Sequence, residues 1–255
     1  MNSMKIKVVG LSILTLCSLT VFAKDGFLSP SELPNSKEIL PPPPSMEVDS
    51  HGNNIPNFAQ DKEITKTLYL NKMFFNGQPI SEARMAQAIA DANKKTEYYQ
   101  QIFIDPLDIS NKDKIKIKKA TANIITKVVL DGNNSTEKAK VGYGRDRPYY
   151  YYSSVSCTGD DSTSPKRSIS YPSGHTTRGM TVAYVLADIL PERFREKILA
   201  RGMDYGDSRI ICGAHWQTDI EAGRILARSV FETLKENNSF NNEEKKVIQE
   251  IGDIS

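Results

Sequence analysis

Three short stretches hold the residues of this chain whose types and spacing could do chemistry together. Lys140 to Pro148 reads KVGYGRDRP, with Lys140 and Arg147 seven residues apart and Pro148 fixing the chain behind the arginine. Pro172-Ser173-Gly174-His175 sets one of only three histidines directly after a turn-forming tripeptide. Ser208 to Asp219 reads SRIICGAHWQTD, with Arg209 six residues before His215 and Asp219 four after it. Together they offer three cations, a hydroxyl, a glycine amide, two imidazoles and a carboxylate.

That inventory suits a phosphate dianion. Guanidinium forks supply charge-assisted donors in pairs, and Lys140 adds a compact point charge. Gly174 lacks a Cβ, so its N–H can approach an anion at a helix start, where the dipole helps. His215 and Asp219, at i and i+4, share a face of a helix if one runs there. The carboxylate could then hold one ring nitrogen as N–H and leave the other to attack. Each residue alone has a plainer reading. Lys140, Arg147 and Arg209 could be solvated charges, and His215 beside Trp216 a core histidine. Ser173 could be a turn residue, and Asp219 a complement to a helix dipole.

The elements that must position these residues read as helices. Apolar spacing predicts them over Asp61–Asn76, Ser81–Thr96 and Asn111–Leu130, the last ended by Asp131-Gly132. Two more, Thr177–Leu190 and Glu192–Tyr205, flank Pro191, and a last one runs from about His215 to Lys235. Alternating strands, repeats and a domain break are absent from the pattern, so the chain reads as all-α, one globular helical domain over residues 57–255. Residues 24–56, with prolines at 41–44, read as an extended arm, either a disordered leader or a strap over the domain. Of Tyr149 to Tyr152, two are expected to pack into the core.

Residues 1–23 read as a signal peptide: Lys5 and Lys7, an apolar run from Val8 to Val21, then Val21-Phe22-Ala23 as a small-residue cleavage site. Without them the chain carries 31 basic against 31 acidic residues. That balance argues against a nucleic-acid partner and against adhesion to anionic membranes. No later stretch approaches 18 consecutive apolar residues, so membrane insertion after signal removal is not expected. Cys157 and Cys212 remain, and an exported chain with two cysteines invites a disulfide, against the alternative of two buried thiols. Closing such a loop would contribute roughly 4 kcal/mol in the chain-entropy account.

The combined spacing resembles the signature of the type-2 phosphatidic acid phosphatase superfamily: K-x6-R-P, then P-S-G-H, then S-R-x5-H-x3-D. All eleven fixed positions are present, at Lys140, Arg147, Pro148, Pro172, Ser173, Gly174, His175, Ser208, Arg209, His215 and Asp219. At roughly one in twenty per position, a chance match at fixed gaps is on the order of 10⁻¹⁴. Within that superfamily the chain is most similar to the exported bacterial class A non-specific acid phosphatases. The similarity runs from the proline run to about residue 235. It includes YPSGHT, the Cys-Gly-x-His-Trp-Gln-x-Asp stretch at 212–219 and Cys157 after the Arg-Pro. One departure is Ile169 before Ser170, where that class usually has glycine.

The resemblance implies an all-α fold with the site in a pocket between core helices. It implies hydrolysis of small-molecule phosphomonoesters with broad specificity, through a phosphohistidine and without metal or cofactor. His215 would be the nucleophile, Asp219 its orienter and His175 the proton donor. Lys140, Arg147, Ser173, Gly174 and Arg209 would hold the phosphoryl oxygens. Periplasmic or secreted location and association into homo-oligomers go with the family. Two rivals use the same ligands: a vanadium haloperoxidase, with His215 bonded to vanadate, and a non-catalytic phosphate-binding protein.

Overall fold

A computed structural model of the chain describes residues 25–44, 56–65, 74–75 and 78–254. Along these run α1 (Ser36–Ile39), α2 (Pro56–Thr65), α3 (Glu82–Ala90), α4 (Thr96–Ile104), α5 (Asn111–Asn134) and α6 (Glu137–Tyr143). Then follow α7 (Pro148–Tyr151), α8 (Gly174–Ile189), α9 (Arg195–Ile211), α10 (Gln217–Glu236) and α11 (Asn238–Ile251). Phe74–Phe75 and Gln78–Pro79 form a two-residue antiparallel pairing, and no other strand occurs among the described residues. The fold is all-α.

The helix after Pro-Ser-Gly is the centre of the molecule. All but three of the 16 residues of α8 are buried, so it shows little amphipathic period and packs against α5, α9 and α10 together. Small residues allow those approaches. A Cβ on Gly223 of α10 would sit 2.9 Å from the Ser173 carbonyl, so glycine there lets α10 close on the start of α8. Ser173 N–H donates to the Asp219 carbonyl at 2.9 Å in the same place. Two signature segments far apart in sequence are thereby joined.

Several expected boundaries move. The helix expected over 61–76 is instead Pro56–Thr65, beginning on a proline whose missing N–H costs nothing at a helix start. Phe74 and Phe75 lie in the strand pairing, and Asn-Gly, the dipeptide most favoured between hairpin strands, follows them in sequence. Gly132 does not stop α5, which runs on to Asn134 with Ser135 as its C-cap. A Cβ there would meet the Arg178 backbone at 3.2 Å, so this glycine serves the α5–α8 approach. Ser81–Thr96 divides into α3 and the start of α4, with Ser81 capping α3 as expected. Helix α11 was not expected; Asn237 caps it, and its buried face is Phe240, Glu244, Val247 and Ile251.

Residues 25–44 lie along the helical body. Phe27, Leu28 and Leu40 join the main core, while Phe27 and Leu28 N–H groups donate to the Asp131 carboxylate at 2.9 and 3.2 Å. Tyr171 Oη donates to the Pro41 carbonyl at 2.6 Å. The segment is not extended throughout, since α1 interrupts it. Residues 1–23 and 45–55 lie outside the described residues.

Candidate active site

A cavity of about 350 Å³ opens where the N-terminus of α8 meets α6, the end of α9 and the segment before α10. Lys94, Lys140, Arg147, Lys166, Arg178 and Arg209 line it against two carboxylates, Glu137 and Asp160. Gly174, His175 and His215 line it as well. The cavity is therefore strongly electropositive, although the chain as a whole is close to neutral.

His215 sits just before α10, not within it. Its ring is 1% exposed, and its two nitrogens have different partners. Nδ1 lies 3.1 Å from Asp219 Oδ2, and Nε2 lies 2.9 Å from Arg147 Nη1. A carboxylate only accepts and a guanidinium only donates, so Nδ1 carries the proton and Nε2 presents its lone pair. The approach differs from a pair on one helix face. Asp219 occupies the third position of α10 and folds back over the helix start, also accepting from Trp216 N–H at 3.0 Å. Burial, then the Arg147 charge, depress the His215 pKa well below the ordinary imidazole value. The neutral form of the ring is thereby favoured.

Asp219 is fully buried and fully engaged. Arg145 Nη1 donates to Oδ1 at 2.7 Å, and Ser170 Oγ donates to Oδ2 at 2.5 Å. Burial alone would raise its pKa, but Arg145, His215 and Ser170 outweigh that and hold the carboxyl below the usual range. Arg145 and Ser170 were not among the residues singled out from sequence. Arg145 also donates to Asp61 of α2 at 2.8 Å, and Thr218 Oγ1 and N–H bond the same Asp61 carboxylate. Asp61, Arg145, Asp219 and His215 thus form one buried chain of alternating charge ending at the cavity. Arg145 carried a local hint, lying two residues before Arg147 in the first motif.

Lys140 Nζ donates to the carbonyls of Ile169 and Pro172 at 2.9 and 2.8 Å. Burial, then Arg147, push its ammonium down to about 7. Arg147 donates to the carbonyls of Lys166 and Ala214 at 2.8 and 2.7 Å. Ile169, the departure from the class pattern, lines the cavity and lends its carbonyl to both cations. Arg209 is 3% exposed, and its Nε has no hydrogen-bond partner among the described residues.

At the other end His175, the second residue of α8, places Nε2 3.1 Å from the Ala92 carbonyl. That acceptor fixes the proton on Nε2 and leaves Nδ1 unprotonated. Burial, then Arg209 and Arg178, depress its pKa well below the ordinary value. A Cβ on Gly174 would meet only Arg178, Lys140 and Thr136 atoms at 3.7–3.9 Å, so the backbone itself does not demand glycine. The missing atom leaves room on the cavity side. Ser173 does not line the cavity: it is fully buried, and its Oγ caps α8 by accepting from Thr176 N–H at 3.3 Å.

Residues 119–235 match the PAP2 superfamily, a span that includes every position of the three motifs. The chain is 35% identical over 229 residues to the non-specific acid phosphatase of Salmonella typhimurium, covering 89% of this chain and 84% of that protein. It is 33% identical over 233 residues to the non-specific acid phosphatase of Providencia stuartii, covering 89% and 85%. The chain belongs to the non-specific acid phosphatases of the PAP2 superfamily. An acid phosphatase of Zymomonas mobilis is 41% identical over a shorter stretch of 106 residues, 42% of this chain and 40% of that one.

In this non-specific acid phosphatase chain Cys157 and Cys212 stand at disulfide-bonding distance, with Cα atoms 4.7 Å apart. The pairing ties the segment after Arg147 to the turn between Arg209 and His215, where Cys157 N–H also donates to the Cys212 carbonyl at 3.0 Å. Of the four tyrosines after Pro148, Tyr149 is buried and lines the cavity, Tyr152 is half-buried, and Tyr150 and Tyr151 are exposed. No helix among the described residues is long and apolar enough to cross a membrane.

Proposed function

We propose that this phosphoric monoester hydrolase works through a phosphohistidine on His215. The observation that carries the reading is the pairing of His215 Nδ1 with Asp219, which leaves Nε2 facing a cavity lined by Lys140, Arg147 and Arg209. Nε2 attacks phosphorus in line, and the bond from phosphorus to the leaving oxygen breaks. His175 gives that oxygen the proton on its Nδ1. The ring must be charged to do so, and a bound phosphate dianion supplies the field that raises its depressed pKa. In the second step water attacks phosphorus, His175 Nδ1 takes its proton, and the N–P bond breaks. Asp219 stabilises the charge on His215 while the phosphoryl group is attached.

Lys140, Arg147, Arg209 and the Gly174 amide hold the phosphoryl oxygens in this reading, and Ser173 contributes by capping the helix that presents that amide. These fixed cations take the part that divalent metals play in other phosphoryl-transfer sites. Substrates are small phosphomonoesters of varied leaving group. Residues 1–23 direct export to the periplasm or medium, where the Cys157–Cys212 pair oxidises. Purified protein should hydrolyse p-nitrophenyl phosphate equally with and without EDTA. Turnover that EDTA abolishes and a divalent cation restores would overturn metal independence, and no turnover from pH 4 to 8 would overturn the reading altogether.

A further inference from the structure

The cavity holds more positive charge than a phosphoryl group requires, and Arg178 is the surplus whose position says most. It follows Gly174 by one turn of α8, so its side chain runs back toward the helix N-terminus and into the cavity. It is 7% exposed, and no carboxylate pairs with it among the described residues. Nη1 donates to the Asn133 side chain, which fixes the guanidinium in place, while Nε is buried without a hydrogen-bond partner. A buried guanidinium left with an open donor is costly unless an anion completes it. Lys94, on the α3–α4 connection, reaches the same cavity from its rim.

Arg178 follows His175 by three residues on α8, and Lys94 follows Ala92, whose carbonyl holds His175 Nε2, by two. In-line attack by His215 expels the leaving group on the opposite side of phosphorus, the side of His175. A cavity of about 350 Å³ has room for roughly ten waters by their share of liquid volume, well beyond one phosphoryl group. We infer that Arg178 and Lys94 form a second anion subsite at the leaving-group end of the cavity. It takes phosphomonoesters whose leaving group carries a further phosphate or carboxylate a few atoms from the reacting oxygen.

This subsite rests on the phosphatase reading and is tested on the full chain with three matched esters. They are 3-hydroxypropyl phosphate, 1,3-propanediol bisphosphate and 3-phosphonooxypropanoate, which share the primary alkoxide leaving group and differ in the remote charge. After correction for its two equivalent phosphates, the bisphosphate should show kcat/KM at least tenfold above the neutral ester, with the carboxylate between them. Arg178→Met should cut the bisphosphate preference at least tenfold, and Lys94→Gln, at the exposed rim, about threefold. The rim variant reads the same ratio if Arg178→Met does not fold. Equal kcat/KM for all three esters in the unmodified protein would overturn the subsite. So would a uniform loss across the three in Arg178→Met, which would assign the guanidinium to the transferred phosphoryl group. Turnover of none of them would overturn the phosphatase reading itself.

Discussion

His215 and His175 face one cavity from its two ends, and they are held in opposite ways. His215 is bonded through both nitrogens to charged side chains, Asp219 behind it and Arg147 in front. Behind Asp219 the buried chain continues through Arg145 to Asp61. His175 has one fixed nitrogen, bonded to a backbone carbonyl, and its ring is only half-buried. No carboxylate stands behind it among its hydrogen-bond partners. The difference teaches which task each can perform. A nucleophile gains from a locked orientation and a fixed tautomer, whereas a group that gives and retakes a proton needs a charge state that its ligand can change.

The comparison breaks most visibly if the two histidines are removed in turn. His215→Ala should lower kcat by roughly 10⁵-fold or more for every ester, because no N–P bond can form. His175→Ala should cost an alkyl phosphate roughly 10²–10⁴-fold, since a basic alkoxide needs its proton. Phosphoenzyme formation from p-nitrophenyl phosphate, whose leaving group needs none, should fall by under about tenfold. Stopped-flow release of p-nitrophenolate separates these, and an equal loss for both leaving groups would remove the distinction.

The chain behind His215 should dominate stability at that end. Arg145 is buried between two buried carboxylates, Asp61 and Asp219. Arg145→Met leaves both uncompensated and should cost about 3–5 kcal/mol in denaturant unfolding. A loss below about 1 kcal/mol would mean that the chain of charges is not a unit.

That chain also shows where sequence reading stops. His215, Asp219, Lys140, Arg147 and Arg209 were legible because fixed spacing carries them. Arg145 falls in a variable position of the first motif and Arg178 three residues beyond the second, where an arginine reads as a solvated charge until its neighbours are known. Asp61 is 84 residues from Arg145 and no local pattern joins them. Among the helices, the amphipathic Asn111 start and the Ser81 cap were readable. The buried α8 has too little period to mark its own start, which the Ser173 cap sets at Gly174. Helix α11 buries Glu244 between Phe240 and Val247, one charged residue on an otherwise apolar face.

The smallest effect sharpens the comparison through pH. The depressed pKa of His215 favours the neutral, nucleophilic ring as pH falls. Burial and Arg147 bring the Lys140 ammonium down to about 7, so its positive charge is lost as pH rises through that value. The kcat/KM for the free enzyme should therefore fall on the alkaline side of about 7. Lys140→Arg keeps its charge there and should move this limb up by about one unit or more, at some cost in fit. An unmoved limb would assign it to another group.

The central claim is that phosphorus passes through His215 and protons through His175. Rapid-quench labelling with p-nitrophenyl phosphate, followed by mapping of the base-stable, acid-labile phosphopeptide, tests it most directly. The account predicts label on the peptide carrying His215. It should be transient in the unmodified protein, accumulate in His175→Ala where deacylation-like hydrolysis lacks its base, and be absent from His215→Ala. Label on the peptide carrying His175 instead, or none in His175→Ala despite a burst of p-nitrophenolate, would contradict it.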